Sequence, residues 1–159
     1  MVVILHNIRS LHNVGSIFRT ADAVGVEKIY LCGITPAPID VYGKFMPQFK
    51  KVSLGAEKYV KWERMGRTIP LIKRLKNHRF KIFAVEQSKE AIPYYKMNVK
   101  DLDEPKTALV LGSEARGLPQ SILKLADRIL EIPMVGKKES LNVSVAFGVA
   151  AYSMFYGGK

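Results

Sequence analysis

The chain has 159 residues, 48% of them hydrophobic and 25% charged, which excludes a disordered segment and suits one domain with its own core. One cysteine, Cys32, excludes an internal disulfide framework, and no apolar run is long enough to span a bilayer. Lys and Arg number 25 against 14 Asp and Glu, a formal charge of +11 that points to a polyanionic partner, with nucleic acid ahead of an anionic membrane.

In chain order, residues 2–5 are a short apolar run that predicts a buried parallel strand, and they lack the basic leader of a signal peptide. Asn13 can cap a helix from Val14, whose apolar positions Ile17, Phe18, Ala21 and Val24 recur at helical spacing until Gly25 stops it. Lys28–Cys32 returns as a strand, ending at a cysteine expected to act as a small apolar residue. From 33 to 56 the prolines and glycines predict turns and irregular structure, a mobile or ligand-facing loop. A basic helix over 68–78 directs Ile69, Ile72 and Leu75 inward, and Lys81–Val85 is the next strand. Strand, helix and strand follow at Thr107–Leu111, 119–126 and 128–132, and Asn142 caps a final small-residue helix. Alternating strands and helices predict an α/β domain, a mainly parallel sheet with helices on both faces and ligands beyond the carboxyl ends of the strands. No linker or repeat divides it, so residues 1–159 read as a single domain.

Gly112-Ser-Glu-Ala-Arg-Gly117 follows an apolar strand and precedes a helix, the setting of a backbone cradle or of a structural glycine turn. It is not a P-loop, because Leu118 and Pro119 stand where Lys and Ser/Thr would, and its glycine spacing misses the dinucleotide fingerprint. Cys-x-x-Cys pairs and a His-Glu-x-x-His helix are absent, so no metal is expected. Between 44 and 81, twelve Lys and Arg face only Glu57 and Glu63, with Phe45, Phe49, Tyr59 and Trp62 interleaved and Tyr42 just before, a mixture suited to phosphate contacts and base stacking.

Three segments, Asn13-Val-Gly-Ser-Ile-Phe-Arg-Thr-Ala-Asp22, Leu109-Val-Leu-Gly-Ser-Glu-Ala-Arg-Gly-Leu118 and the run from Ile132 through Ser140-Leu-Asn142 to Tyr152, together resemble the motifs of the SpoU/TrmH branch of the SPOUT RNA methyltransferases. The resemblance covers almost the whole chain. It implies a C-terminal deep trefoil knot, against the usual rule that chains avoid knots, a homodimer, and no separate N-terminal RNA-binding domain. It also implies S-adenosylmethionine as cofactor, held mostly through backbone groups, with Leu111, Gly112, Ile132, Met134, Ser140 and Leu141 lining the pocket and Glu86 at its lip. The implied reaction is methylation of a ribose 2′-hydroxyl in tRNA or rRNA by a cytoplasmic enzyme. Its implied catalytic set is Arg19, Asn13, Glu114, Ser140 and Asn142; His6 and His12, which flank the first motif, read as rival bases or as simple polar loop residues. A guanidinium of pKa above about 12 stays protonated, so Arg19 reads as a positioner of phosphate and hydroxyl. Base methylation by another SPOUT branch and a non-catalytic RNA-binding module are the alternatives.

Overall fold

The structure is a computed structural model that describes residues 1–97 and 106–156. Seven strands, β1 (Val2–His6), β2 (Lys28–Cys32), β3 (Lys61–Met65), β4 (Lys81–Val85), β5 (Ile92–Pro93), β6 (Thr107–Leu111) and β7 (Arg128–Glu131), form one sheet of order β3-β2-β1-β6-β4-β7-β5. All its pairings are parallel. The helices are α1 (Leu11–Ala23), α2 (Pro47–Ser53), α3 (Thr68–Asn77), α4 (Gln120–Leu123) and α5 (Val143–Tyr156).

Because side chains alternate along a strand, each central strand feeds two cores. Val3, Leu5, Ile29, Leu31, Phe83, Leu109 and Leu111 pack with Ile17 and Phe18 of α1, Phe49 of α2 and Phe147 of α5. On the opposite face Val2, Ile4, Ile82, Ala84, Ala108 and Val110 pack with Leu71, Ile72 and Leu75 of α3 and Ile122 of α4. Cys32 belongs to this second core, and burial pushes its thiol up to about 11 although the Thr68 hydroxyl opposes the shift. With every strand running one way, the loops after His6, Cys32, Val85, Leu111 and Glu131 leave along one rim.

Several boundaries differ from the expectation. Asn13 does not cap α1. Ser10 does, its hydroxyl accepting the Asn13 backbone N–H at 3.2 Å, so the helix starts earlier and the Asn13 amide is released for other bonds. Gly25, at φ 72°, ends α1 as its sequence requires. The segment expected to be irregular contains α2, because Pro47 stands at a first-turn position, where its missing N–H costs nothing. Before it, residues 38–46 form a tight hairpin, with an Ile39–Phe45 bridge and a Met46 N–H to Pro38 carbonyl bond of 2.9 Å. Two strands had no apolar signature. β3 is an edge strand exposing Lys61 and Arg64, and β5 is only two residues long. The helix expected over 119–126 shrinks to the four residues of α4, and β7 stops at Glu131, which leaves Ile132 in the loop.

Phe49 is the clearest reversal. It is fully buried and meets Phe18 edge-on at 5.1 Å between ring centroids, so it is a core residue and not a base-stacking surface. Phe49→Ala should therefore lower unfolding free energy by about 3–5 kcal/mol. Chemical denaturation would check this, and a loss below about 1 kcal/mol would place the ring outside the core.

Candidate active site

The loop after β6 closes on itself through two glycines. A Cβ at Gly112 would strike the backbone of Gly117 and Leu118, and Gly117 sits at φ 62°, a left-handed conformation in which any side chain would also meet the Glu86 carboxylate. The Gly117 N–H donates to the Ser113 carbonyl at 2.8 Å, and the Arg116 N–H donates to the Ser113 hydroxyl at 3.1 Å. Glu86, the first residue beyond β4, accepts the Leu118 N–H at 2.7 Å and the Gln87 N–H at 3.0 Å, one on each carboxylate oxygen. Its carboxylate thus braces this loop against the end of β4.

A chain of side-chain bonds joins the three motif segments. Glu114 accepts the Asn13 Nδ2–H at 2.8 Å on one oxygen and the Arg9 backbone N–H at 3.2 Å on the other. A carboxylate only accepts, so Asn13 must turn its NH₂ to Glu114 and its Oδ1 the other way. That oxygen accepts the Asn142 Nδ2–H at 3.1 Å. The Asn142 Oδ1 is then left to accept the Ser144 N–H at 2.9 Å and the Ser144 hydroxyl at 2.6 Å, capping α5 as expected. Partial desolvation pushes Glu114 up, but the bonds from Asn13 and from the backbone amides of Glu114, Arg9 and Ser10 outweigh it and hold the carboxyl below the usual range.

Between these loops lies a cavity of about 420 Å³, within the roughly 300–1,000 Å³ typical of small-molecule sites. Leu111 and Gly112 line its buried side, Ile132 and Met134 its half-buried flank, Ser140 and Leu141 its exposed mouth, and Glu86 one wall. Glu114 and Asn142 also line it. S-adenosylmethionine fits this lining. The apolar Leu111, Ile132 and Leu141 suit an adenine ring, the glycine loop leaves backbone groups accessible where a Cβ would intrude, and Glu86 and Glu114 suit hydroxyl and ammonium groups.

Arg19 is not brought into this cavity. It is exposed, in a separate depression lined by His12, Ser16, Thr20, Ala23, Lys51, Val52 and Tyr152. Neither rival histidine lines the cavity either. His6 accepts the Asn7 Nδ2–H at 3.1 Å on Nε2, which leaves Nδ1 to donate to the Thr68 hydroxyl at 2.7 Å, and burial lowers its pKa. His12 shares the depression with Arg19. Sequence reasoning missed Lys51 at this position because α2 had not been expected. It also missed the bracing role of Glu86, for which a lone Glu after a strand carries no signal.

This fold and this arrangement of loops are those of TrmH/SpoU-type RNA-modifying methyltransferases. The Aquifex aeolicus TrmH/SpoU tRNA modifying enzyme superposes with a TM-score of 0.80 at 33% identity, covering 96% of this chain and 72% of that one. The AdoMet-bound rRNA methyltransferase from Sinorhizobium meliloti gives 0.84 at 25% identity, covering 96% and 54%. A structure described by 2-OH methylation of C/U34 on tRNA gives 0.76 at 28% identity and is covered over 93% of its chain. The chain belongs to the SpoU rRNA methylase family, whose profile matches residues 1–152. Among its relatives, the tRNA (guanosine(18)-2′-O)-methyltransferase of Aquifex aeolicus is 34% identical over 96% of this chain and 67% of that protein. Its counterpart in Escherichia coli K12 is 33% identical over 96% and 61%.

Two outcomes follow from the loop chemistry. Gly117→Ala should cost at least about tenfold in S-adenosylmethionine affinity by calorimetry, since it strains φ and displaces Glu86. Unchanged binding would show that the loop conformation is not needed. A carboxyl held below its unfolded pKa contributes stability that is present above the unfolded value of 4.5 and is lost as pH falls through the folded value. Glu114→Gln should therefore flatten the fall in thermal stability of the wild type below about pH 4.5, and an unaltered acid limb would refute the bonded carboxylate.

Proposed function

We propose that this protein is an S-adenosylmethionine-dependent RNA 2′-O-ribose methyltransferase acting on tRNA or rRNA. The observation that carries the reading is the Glu114–Asn13–Asn142 chain, which ties all three motif segments to the rim of one cavity. The tRNA and rRNA methyltransferases among its relatives support the substrate class, and the net charge of +11 suits a polyanion. When bound, S-adenosylmethionine supplies an electrophilic methyl group. Leu111, Gly112, Ile132, Met134, Ser140 and Leu141 would hold it, while Glu86 keeps the Gly117 turn closed beneath it. Asn13, Glu114 and Asn142 keep the site rim in one geometry, so that the loss of freedom on substrate binding is small.

Arg19 enters the reaction as a fixed cation that holds a substrate phosphate and stabilises charge developing on the ribose oxygen. Since its depression lies apart from the cavity, we infer a homodimer in which a second copy covers α1 and α5 and brings Arg19 to the site. Support comes from α5, which is apolar on every side and leaves Val145 and Tyr152 50% and 45% exposed in one copy. The family's knotted path for the C-terminal segment is part of the same reading. It is supported by the loop after β7 lying beside the loop after β4, where the Gln87 Nε2–H donates to the Glu139 carbonyl at 2.5 Å. No helix among the described residues is long and apolar enough to cross a membrane, and a cytoplasmic location suits an RNA-modifying enzyme.

The test is methyl transfer to total tRNA and rRNA followed by digestion to nucleosides. A 2′-O-methylated nucleoside is expected, whereas a base-methylated product, or cofactor binding without transfer, would overturn the reading in favour of the other SPOUT chemistry or a binding module. With the modified RNA in hand, Arg19→Lys should lower single-turnover methyl transfer at least about tenfold, roughly 1.4 kcal/mol, and leave cofactor affinity nearly unchanged. Near-normal transfer would reduce Arg19 to a replaceable surface cation.

A further inference from the structure

We propose that the hairpin of residues 38–46 is a base-stacking contact for the RNA substrate, with Tyr42 at its tip resting on an unpaired base outside the methylated nucleotide. This inference rests on the proposed RNA substrate and concerns how that substrate is read. The hairpin leaves the carboxyl end of β2, next to β1 in the sheet, and so rises from the same rim as the cofactor cavity. Its tip is the most exposed apolar feature of the rim's β2 side, with Val41 93% and Tyr42 84% accessible.

Such a tip is ordinarily a mobile loop, but this one is fixed by bonds of its own. The Asp40 N–H donates to the Lys44 carbonyl at 2.9 Å, and the Gly43 N–H to the Asp40 carbonyl at 3.1 Å. The Asp40 carboxylate accepts the backbone N–H groups of both Tyr42 and Lys44 at 2.9 Å. Gly43 takes the φ of 75° that closes the turn. The backbone that presents Tyr42 is therefore ordered before any partner arrives, and less entropy is lost on contact. A tyrosine held this way offers a planar face with little freedom to lose.

The chemistry around the hairpin selects a nucleic acid. Lys44 is on its return arm, and Lys50 and Lys51 follow on α2, all exposed. The acids of the neighbourhood are engaged elsewhere: Glu57 is buried and takes the Ser53 hydroxyl, Glu63 is paired with Lys28 at 2.6 Å, and Asp40 faces its own amides. Lys51 shares a depression of about 560 Å³ with Arg19 and His12, and none of the residues lining it is acidic. Lys44, Lys50 and Lys51 thus place exposed cations on the return arm and on α2 beside the tip, suited to the phosphates of the strand whose base it meets. Of the five aromatics interleaved with the basic stretch, Phe49 is buried and Trp62 half-buried, which leaves Tyr42 and Tyr59 as the most open faces, and Tyr59 precedes the amino end of β3 whereas Tyr42 follows the carboxyl end of β2. A base stacked there is read by its π face, so the contact demands that it be unpaired and does not demand a particular identity.

The experiment pairs protein variants with abasic RNA. Binding of the methylated RNA, and of versions carrying one abasic site at each unpaired position, is measured for wild type, Tyr42→Phe and Tyr42→Ala. Tyr42→Ala should weaken intact RNA about tenfold and Tyr42→Phe hardly at all, with S-adenosylmethionine affinity unchanged in both. Against one abasic RNA the alanine and wild-type proteins should bind equally, because the base that the ring covers is already gone. Because stacking releases no counterions, the slope of log affinity against log salt should be the same for wild type and Tyr42→Ala. The proposal is overturned if Tyr42→Ala binds intact RNA as wild type does, or if its loss is the same on every abasic RNA. It is equally overturned if the variant sediments as a smaller species, which would put the tip in a protein contact. Binding is read without turnover, so an RNA methylated on a base instead of a ribose would sink the proposed reaction and leave this test intact.

Discussion

One amide side chain carries the organisation of the site. Asn13 donates from its NH₂ to Glu114 and accepts the Asn142 Nδ2–H on its oxygen, so residues from the first helix, the loop after β6 and the cap of α5 share one hydrogen-bonded line. Because the carboxylate can only accept, the line has one polarity, and each amide along it is fixed by the previous one. The loops that frame the cavity are held in register by this chain on one side and by the Glu86 brace on the other. Replacing either partner removes a bond from Asn13, which is 8% exposed, and leaving a buried amide unpaired costs more than losing a surface bond.

The sheet explains why so few residues suffice. Seven parallel strands put the ends of β1, β4, β6 and β7 on one rim, and the side-chain alternation of those strands commits the layers above and below to packing. What remains at the rim is short loops whose conformations are set by Gly112 and Gly117 and by bonds to backbone amides. A cofactor read through backbone needs such loops to be stiff more than it needs any special side chain.

Much of this was legible in the residues. The strands at 28–32, 81–85 and 107–111 are continuous apolar runs with turn signals at both ends, and buried parallel strands leave no other trace. The cavity lining was legible because motif resemblance reports positions directly. The failures share a cause, in that local signals were outweighed by partners distant in sequence. Asn13 is as good a cap as Ser10, and only Glu114, 101 residues later, decides between them. Pro47 breaks periodicity or starts a helix depending on whether Phe49 finds Phe18. Arg19 has the motif spacing of a site residue, yet one copy of the chain leaves it outside, since spacing along a helix does not tell which neighbour completes a surface.

The central place of β1 sets the order in which the molecule can be made. β1 pairs with β2, some twenty residues downstream, but its other edge is filled by β6, through pairings such as Val3 with Leu109. During synthesis the first three strands are therefore complete while the buried edge of β1 still lacks its partner, and α1 has no α5 to cover it. About a hundred residues, several seconds or more of translation, pass with that apolar edge open. Nascent chains released early would offer it to one another. Yield in the cell should then depend on how well the ribosome and its holding factors shield the first third of the protein until the last third emerges.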